Sequence, residues 1–418
     1  MTAFSAQSQD EQIRLLKRNF VVLNAMSFFR MFLIIMPIFV PFMAELGLSM
    51  AETMALQSVY GITVIVLEVP SGYLADMWGR KKTLMAASIF WGLGFSVFLW
   101  AENFWQFALF EFFLGVGGSL LSGADVAMLY ETESALDELE PQRKKKKGNH
   151  ISSMVSWMTL GEALAAVTAS FLLLHSMTWV IYGQVLVGWV GFVLVFLLHE
   201  PDFKRMDEGS HKKNLLKVVK HLTHHDKRLT QLIVIAVLMF TATWLAAWAY
   251  QPLWLSMDIP LDWFGWLWAG SNLAVAMSAK AAPNLMAWLG HKRAMLTTVI
   301  LAIVGFAGLS WQWGLSIFIF GLGIQVARGF GSVVFRDEIN RTFQSEFRAT
   351  ANSLIGLVFR IMTITCGPLL GFSIDQIGIG MTLWVITGFY LLVLLVLVIP
   401  WILAPDSPRG RGKNDFIA

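Results

Sequence analysis

The segment GYLADMWGRKK, residues 72–82, joins two apolar runs near 51–75 and 83–101. A helix needs roughly 20 mainly apolar residues to cross ~30 Å of hydrocarbon, and both runs are close to that length. The joining segment is short and ends in three adjacent cations, Arg80, Lys81 and Lys82. Because cytoplasmic loops are enriched in Lys and Arg, this pattern predicts a cytoplasmic loop between two membrane-spanning helices.

The same apolar character extends over the whole chain. Of the 418 residues, 56% are hydrophobic and only 14% are charged, which excludes a soluble globular domain. Long apolar runs recur throughout, so we predict an all-α membrane protein with twelve transmembrane helices. The predicted spans lie near 18–43, 51–75, 83–101, 104–130, 151–174, 177–199, 229–256, 261–288, 294–310, 313–335, 349–373 and 379–403.

The distribution of polar residues predicts the topology and the domain organisation. Lys and Arg occur in alternate loops, so these loops are predicted to share the cytoplasmic side with both termini. The basic residues are spread over short loops, which argues against a nucleic-acid partner. The longest polar stretch divides the chain into two halves. The predicted parts are a cytoplasmic tail at 1–17, a six-helix bundle at 18–200, a cytoplasmic linker at 201–228, a second six-helix bundle at 229–404 and a cytoplasmic tail at 405–418.

Three segments together resemble the major facilitator superfamily. The loop at 72–82 has a Gly, an Asp four residues later and then Gly-Arg-Lys, as in that family's loop signature between the second and third spans. GVGGSLLSGADVAMLYE at 115–131 and FRATANSLIGLVFRIMTITCGPLLGFSID at 347–375 look like matching segments of family members. The resemblance covers essentially the whole chain. It implies two pseudo-symmetric six-helix bundles, a monomer embedded in lipid, and no cofactor.

The resemblance implies a conformational latch at the first loop. Asp76, as the family's loop acid, is expected to oppose the positive N-terminal end of the eleventh helix and to pair with Arg80. The loop glycines are expected to allow a tight turn and close helix approach. The second-half equivalent, PNLMAWLGHKR, has Ala287 where the acid would stand, so only the first latch is predicted to be complete. The predicted latch residues are Gly72, Asp76, Gly79, Arg80 and Lys81.

Several ionisable side chains fall inside predicted spans, where they are costly and therefore candidates for function. At 1.5 Å per residue, Glu68 and Arg360 both lie ~16–18 Å from the cytoplasmic ends of their helices. Glu162 and Lys280 lie at matching depths of ~15–18 Å. The family plan places the second span beside the eleventh and the fifth beside the eighth. We therefore predict two ion pairs between the halves, Glu68 with Arg360 and Glu162 with Lys280, and the alternative is that each charge faces a water-filled cavity.

Three further charges lie on spans that line the central cavity in the family. Glu111 is the preferred proton-titrating group, because a carboxyl group in an apolar cavity is favoured in its protonated form. Arg30 and Arg328 are permanently charged and are candidates for holding an anionic group of the substrate or for keeping an acid ionised. The alternative for all three charges is a structural role, in which each pairs with a neighbouring group. Trp244 and Trp248 are one helical turn apart, so they share a face and are candidates for stacking on an aromatic substrate. Core packing is the alternative for this pair.

These patterns predict transport rather than catalysis. No HExxH, GxSxG or phosphate-binding motif occurs, so we expect neither an enzyme nor a bound metal. We expect a proton-coupled secondary active transporter of the bacterial inner membrane, whose partners are a small-molecule substrate, protons and lipid. Export of a drug or metabolite, as an antiporter, is slightly favoured. One alternative is a transporter of an organic anion, such as a carboxylate or a siderophore-like solute. For this alternative, import is considered as well as export. The other is a non-transporting membrane sensor.

Overall fold

A computed structural model describes residues 2–140, 150–201, 227–314, 316–342 and 348–404. Within these ranges the chain is almost entirely helical and contains no β-strand. The fold is therefore the predicted all-α membrane fold. The predicted tail at 405–418 and nearly all of the predicted linker at 201–228 lie outside the described residues.

The helices of the first half follow one another through short connections. Apolar residues fill their sequences, and Ser49 and Asn103 accept hydrogen bonds at the N-termini of two of them. The helices are α1 (Thr2–Met31), α2 (Phe39–Glu45), α3 (Met50–Trp78), α4 (Arg80–Ser96), α5 (Phe104–Leu121), α6 (Ala124–Leu139), α7 (His150–Leu173) and α8 (Met177–Val195).

Four described helices of the second half have 27 or more residues. Gly290 has a φ of 77° and ends one helix immediately before the next begins. The helices are α9 (Lys227–Ser256), α10 (Leu261–Leu289), α11 (His291–Ser310), α12 (Ser316–Thr342), α13 (Arg348–Val393) and α14 (Ile399–Leu403).

Two spans that we predicted as continuous are interrupted. The predicted first span, 18–43, leaves helical geometry after Met31, and a 3-10 turn containing Pro37 precedes α2. Proline has no N–H and cannot continue the helical hydrogen bonds, which explains the position of the break. The Ile35 N–H donates instead to Gln184 Oε1 at 3.2 Å. The predicted fourth span, 104–130, breaks at Gly123, whose φ of 87° is left-handed.

Ten segments among the described residues are long and apolar enough to cross a membrane. One of them, Leu354–Leu403, contains Gly378, whose φ of 77° and ψ of 162° interrupt the helix. Helix α10 spans 29 residues but is not one of the ten, because it is less apolar. The ten segments establish a multi-pass membrane protein. The predicted count of twelve spans is reached only if α10 also crosses the membrane and if Leu354–Leu403 is counted as two spans divided at Gly378.

The described residues form two compact units. The first comprises those in Met1–Asp207, Trp254–Asn272 and Gly367–Gly371, and the second comprises those in Glu208–Leu253, Leu273–Cys366 and Phe372–Ala418. In the first unit, glycines on α5 permit close contact with both neighbouring helices. A Cβ on Gly115 would collide with Thr63 of α3, and one on Gly117 would meet the Ala87 carbonyl of α4 at 3.0 Å. The predicted domain boundaries stay a prediction.

Candidate functional site

The loop between α3 and α4 holds a charge cluster centred on Arg80. Gly79 ends α3 with a φ of 89°, a conformation that favours glycine, and Arg80 begins α4 directly after it. Arg80 Nη1 lies 2.9 Å from Asp76 Oδ1, and Arg80 Nε lies 2.9 Å from Glu131 Oε1. The guanidinium therefore holds the end of α3 to α6. A Cβ on Gly72 would meet no atom within 4 Å, so the predicted close approach there is not formed within the first unit.

Two acids in this cluster were not predicted from the sequence. Glu131 on α6 is the second partner of Arg80, and Glu200 accepts a hydrogen bond from the Lys81 N–H at 3.4 Å. Glu200 also contacts Gly79 closely enough that a Cβ there would collide with it. Glu131 is the last residue of the motif at 115–131, so its position in that motif was the available signal.

The corresponding loop of the second half is built differently. His291 follows Gly290 as Arg80 follows Gly79, and its Nε2 lies 2.9 Å from Asp337 Oδ2. Ala287 occupies the position that Asp76 has in the first loop. Arg341 Nη1 also lies 2.6 Å from His291 Nε2. One imidazole with one carboxylate and one guanidinium thus replaces one guanidinium with two carboxylates.

Arg30 forms an ion pair inside the first unit. Its Nη1 lies 3.0 Å from Asp125 Oδ2, and the two side chains are only 18% and 13% exposed. Its Nη2 donates a hydrogen bond to Met158 Sδ at 3.1 Å. The adjacent cavity has a volume of about 40 Å³, which accommodates only a few water molecules. Arg30 is therefore charge-compensated, and the described cavity beside it is too small for an organic solute.

Glu111 is buried between α5 and α3. Its side chain accepts a hydrogen bond from Gln57 Nε2 to Oε1 at 2.6 Å, and only 3% of the residue is exposed. Gly115 and Gly118 follow one and two turns later and pack on Thr63 and Tyr60 of α3. Among the described residues, Glu111 has no cationic partner. It lines neither the cavity beside Arg30 nor the larger cavity of the second unit.

The second unit contains a cavity of about 740 Å³, which we call the α9–α12–α13 cavity. Trp244 and Arg328, both predicted site residues, line it. Trp248 does not line it. Trp248 is 5% exposed and packs edge-on against Trp244, with 6.1 Å between ring centroids. The lining residues are Phe240, Thr243, Trp244, Val275, Arg328, Ser332, Arg336, Ile339, Asn340, Asn352, Ile355, Gly356 and Phe359.

The two predicted ion pairs join residues of different units. Glu68 and Glu162 belong to the first unit, and Arg360 and Lys280 belong to the second. Both pairs stay predictions. The described part of the chain contains no group of three or more His, Cys, Asp or Glu side chains that could hold a metal ion.

Long apolar helices, a charge cluster at a loop and a solute-sized cavity define a multi-pass membrane protein equipped to bind a small molecule. Residues 20–337 match the family described as Major Facilitator Superfamily. The chain belongs to this superfamily and is a transporter by family and fold. No curated protein sequence matches it.

Solved structures of several transporters share the fold. A point mutant of the nucleoside transporter NupG aligns with a TM-score of 0.76 at 14% identity over 92% of this chain and 100% of its own. A D-xylose-proton symporter aligns with a TM-score of 0.65 at 14% identity, covering 94% and 98% of the two chains. A bacterial homologue of the human lysosomal transporter Spinster aligns with a TM-score of 0.66 at 13% identity, covering 93% and 94%. At these identities the shared property is the fold.

Proposed function

We propose that this protein is a secondary active transporter that moves a small organic solute across the membrane by alternating access. The α9–α12–α13 cavity is the observation that carries the proposal. Its volume of about 740 Å³ falls within the roughly 300–1,000 Å³ typical of small-molecule pockets. Its lining combines three aromatic rings with charged and neutral polar groups, as such pockets do. Transporters of this kind change access by rocking two bundles around a central site.

Proton coupling through Glu111 is the second part of the proposal. A buried carboxylate without a cation is costly, and the described partner of Glu111 is the neutral amide of Gln57. Glu111 lies where the glycines of α5 let α3 approach closely. Protonation and deprotonation of Glu111 would therefore change the packing of these two helices. Such a change is a direct way to connect a proton gradient with movement inside the first unit.

The latch and the predicted ion pairs form the gating part of the proposal. Arg80 with Asp76 and Glu131 would stabilise one conformation, and breaking the cluster would shift the balance of open states. Glu68 with Arg360 and Glu162 with Lys280 would act at the same depths from the cytoplasmic side. Charge reversal tests each pair: swapping both partners should restore transport that either single reversal abolishes. A pair whose double swap restores nothing is not formed.

Two solute classes remain in the proposal. The first class is a drug or metabolite that an antiporter exports. The second class is an organic anion, for which both import and export are considered. The nucleoside and D-xylose transporters of similar fold carry polar organic solutes, and such solutes agree with the polar part of the cavity lining. We place the protein in the bacterial inner membrane as a monomer surrounded by lipid, with both termini in the cytoplasm. A non-transporting sensor is the contrasting outcome.

Reconstitution into liposomes that carry a pH dye tests transport and coupling together. The solutes are a panel of lipophilic cations, a panel of small carboxylates, a nucleoside and D-xylose. We expect one class to move protons with wild-type protein. Glu111→Gln should lower that proton movement roughly tenfold or more, because an amide cannot take up and release a proton as a carboxyl group does. Glu102→Gln, which removes an exposed carboxylate before α5, is the matched control and should leave it unchanged.

The result separates the parts of the proposal. Solute-driven proton movement that Glu111→Gln leaves intact would reject the coupling role of Glu111 and retain transport. Uptake of radiolabelled solute without any proton movement would indicate facilitated diffusion. Absence of flux for every class, with protein shown to be folded and inserted, would favour the sensor.

A further inference from the structure

We propose that the solute is an aromatic organic anion, held in the α9–α12–α13 cavity with its negative group at Arg328 and its ring on the wall formed by Phe240, Trp244 and Phe359. This inference rests on the proposed function, because it names the class of solute that the cavity selects. It distinguishes between the two solute classes named above. Three features of the cavity support it: its charge, its aromatic wall and its available hydrogen-bond donors.

The described residues that line the cavity carry only positive charge. Of its thirteen described lining residues, Arg328 and Arg336 are charged and none is acidic. No carboxylate among the described residues forms an ion pair with either guanidinium. A low-dielectric cavity lined by one sign of charge concentrates solutes of the opposite sign and repels those of its own. The cavity therefore attracts anions and disfavours lipophilic cations.

The position of the two arginines indicates separate roles. Arg328 is half-buried on α12, whereas Arg336, two turns later on the same helix, is exposed. Two turns correspond to a rise of ~12 Å along the axis. Arg328 is the inner anchor, because it is the less exposed of the two. Its guanidinium presents a planar fork of donors that matches a carboxylate. Arg336 stands at the exposed end, where it can attract an anion electrostatically before the anion reaches Arg328.

The aromatic wall is held in place by rings behind and beside it. Trp244 packs edge-on against the buried Trp248. Phe240 makes edge contacts with the fully buried Phe335 and with Phe359, with 6.3 and 6.5 Å between ring centroids. Rings fixed in this way lose little conformational freedom when a planar ligand packs on them. Such contacts are favourable for aromatic and heteroaromatic solutes.

Three of the neutral donors on the cavity wall are used within the protein. The Thr243 hydroxyl donates to the Phe240 carbonyl at 3.1 Å, and the Ser332 hydroxyl donates to the Gly329 carbonyl at 2.8 Å. Asn352 Nδ2 donates to Asn340 Oδ1 at 3.2 Å. Among the described donors that remain available to a solute are the Trp244 indole N–H and the Asn340 amide, and the two guanidinium groups are the only charged ones. A solute whose polar group accepts hydrogen bonds and carries negative charge fits this set best.

Binding to the purified full-length protein in detergent tests the inference without requiring transport. The probes are matched sets that share a ring and differ in one group: indole-3-acetate, indole-3-acetamide and tryptamine, and benzoate, benzamide and benzylamine. We expect isothermal titration to give a carboxylate at least roughly tenfold tighter binding than its amide, since hydrogen bonds to charged groups contribute on this scale. The amines should bind more weakly than the amides.

Variants then locate the selectivity. Arg328→Gln should reduce the preference of carboxylate over amide to within about twofold, because the neutral amide lacks the charge that distinguishes the two ligands. Arg328→Lys should retain part of the preference, since it keeps the charge and loses the fork. Arg18→Gln removes one exposed cation from α1 and is the control for net charge; it should retain the full preference. Thermal stability of each variant shows that it is folded.

The outcomes distinguish this inference from the proposed function. Amides or amines that bind as tightly as the carboxylates, no binding of any carboxylate, or a preference that survives Arg328→Gln would each overturn the inference. Liposome flux of a cation or a neutral solute would then still establish transport. Conversely, Arg328-dependent binding of a carboxylate with no flux in liposomes would reject transport and leave the binding assignment standing.

Discussion

Arg30 and Arg328 are both arginines inside membrane-spanning helices, yet their surroundings are opposite. Arg30 lies 3.0 Å from Asp125 and borders a cavity of about 40 Å³. Arg328 has no carboxylate partner among the described residues and lines a cavity of about 740 Å³. The first charge is neutralised inside the protein, whereas the second remains available to a ligand. The neighbours of an intramembrane charge, rather than its presence, therefore indicate whether it is structural or functional.

The two sites should also respond differently to mutation. Removal of one partner from an ion pair in a protected site is destabilising, because it leaves an uncompensated charge. A charge without a protein partner contributes to ligand binding, and its removal leaves no unpaired group behind. Stability and binding measurements on the same set of variants can therefore separate the two roles.

The largest expected effect is on stability at the Arg30 site. Asp125→Ala should lower the free energy of unfolding by about 3 kcal/mol, because Arg30 would keep its charge without a partner. This corresponds to a fall in Tm of roughly 3–4 °C in detergent for a chain of this length. Arg328→Gln should shift Tm by less than about 1 °C, because it breaks no ion pair. Thermal unfolding of the wild type, Asp125→Ala and Arg328→Gln measures both shifts of Tm. Equal losses of Tm in the two variants would contradict the difference.

A second test compares glycines that line the two cavities. A Cβ on Gly188 would lie 3.0 Å from the Phe95 ring, whereas a Cβ on Gly356 would meet no atom within 4 Å. Gly188→Val should therefore cost about 1–3 kcal/mol through overpacking. Gly356→Val should leave Tm within about 2 °C of the wild type, because Val is no worse than Gly in a helix. It should instead weaken binding of the carboxylate probe by partly filling the cavity.

The result for Gly356→Val has a clear contrary outcome. Unchanged affinity for every carboxylate probe, in a variant that folds normally, would show that the α9–α12–α13 cavity is not the binding site. Gly188→Val should leave the affinity of the folded fraction unchanged, which makes it the matched control at the Arg30 cavity.

The smallest expected effect concerns ligand selectivity at the Arg30 site. The double variant Arg30→Gln with Asp125→Asn removes both charges together, so no single charge is left buried. We expect it to keep the preference of carboxylate over amide within about twofold of the wild type. Titration of the same indole and benzene sets measures this. If the double variant lost the preference of carboxylate over amide as Arg328→Gln does, Arg30 would belong to the substrate site. The two arginines would then not differ in role.

Sequence reasoning reached most of the fold and part of the candidate site. Hydrophobic runs of membrane-spanning length and the basic loops predicted the helical membrane fold, and the motif at 72–82 resembled the family to which the chain belongs. The breaks at Met31 and Gly123 were missed because the apolar pattern continues through them. Pro37 and Gly123 were visible as local signals, but only the path of the backbone shows that they interrupt the helices.

The partners of the intramembrane charges were harder to predict than the positions of these charges in the helices. Arg30, Glu111 and Arg328 were all recognised as costly intramembrane charges, and they were assigned to one group of proton or substrate residues. The structure gives them three different surroundings: an ion pair, a buried hydrogen bond to Gln57, and an open cavity. Glu131 escaped notice because its partner, Arg80, is 51 residues away in the sequence. Contacts over such separations depend on which helix faces meet.

The sequence by itself determined that this protein lies in a lipid bilayer, that it is helical and to which family it belongs. Each of these depends on local composition and on short motifs, because a run of about 20 apolar residues must satisfy its own backbone hydrogen bonds within the bilayer. Only the tertiary structure decided which charge is compensated, which tryptophan reaches the cavity and where a solute-sized space exists. Those properties arise from the packing of helices that are distant in the chain, and electrostatic energy depends on distances that no local pattern contains.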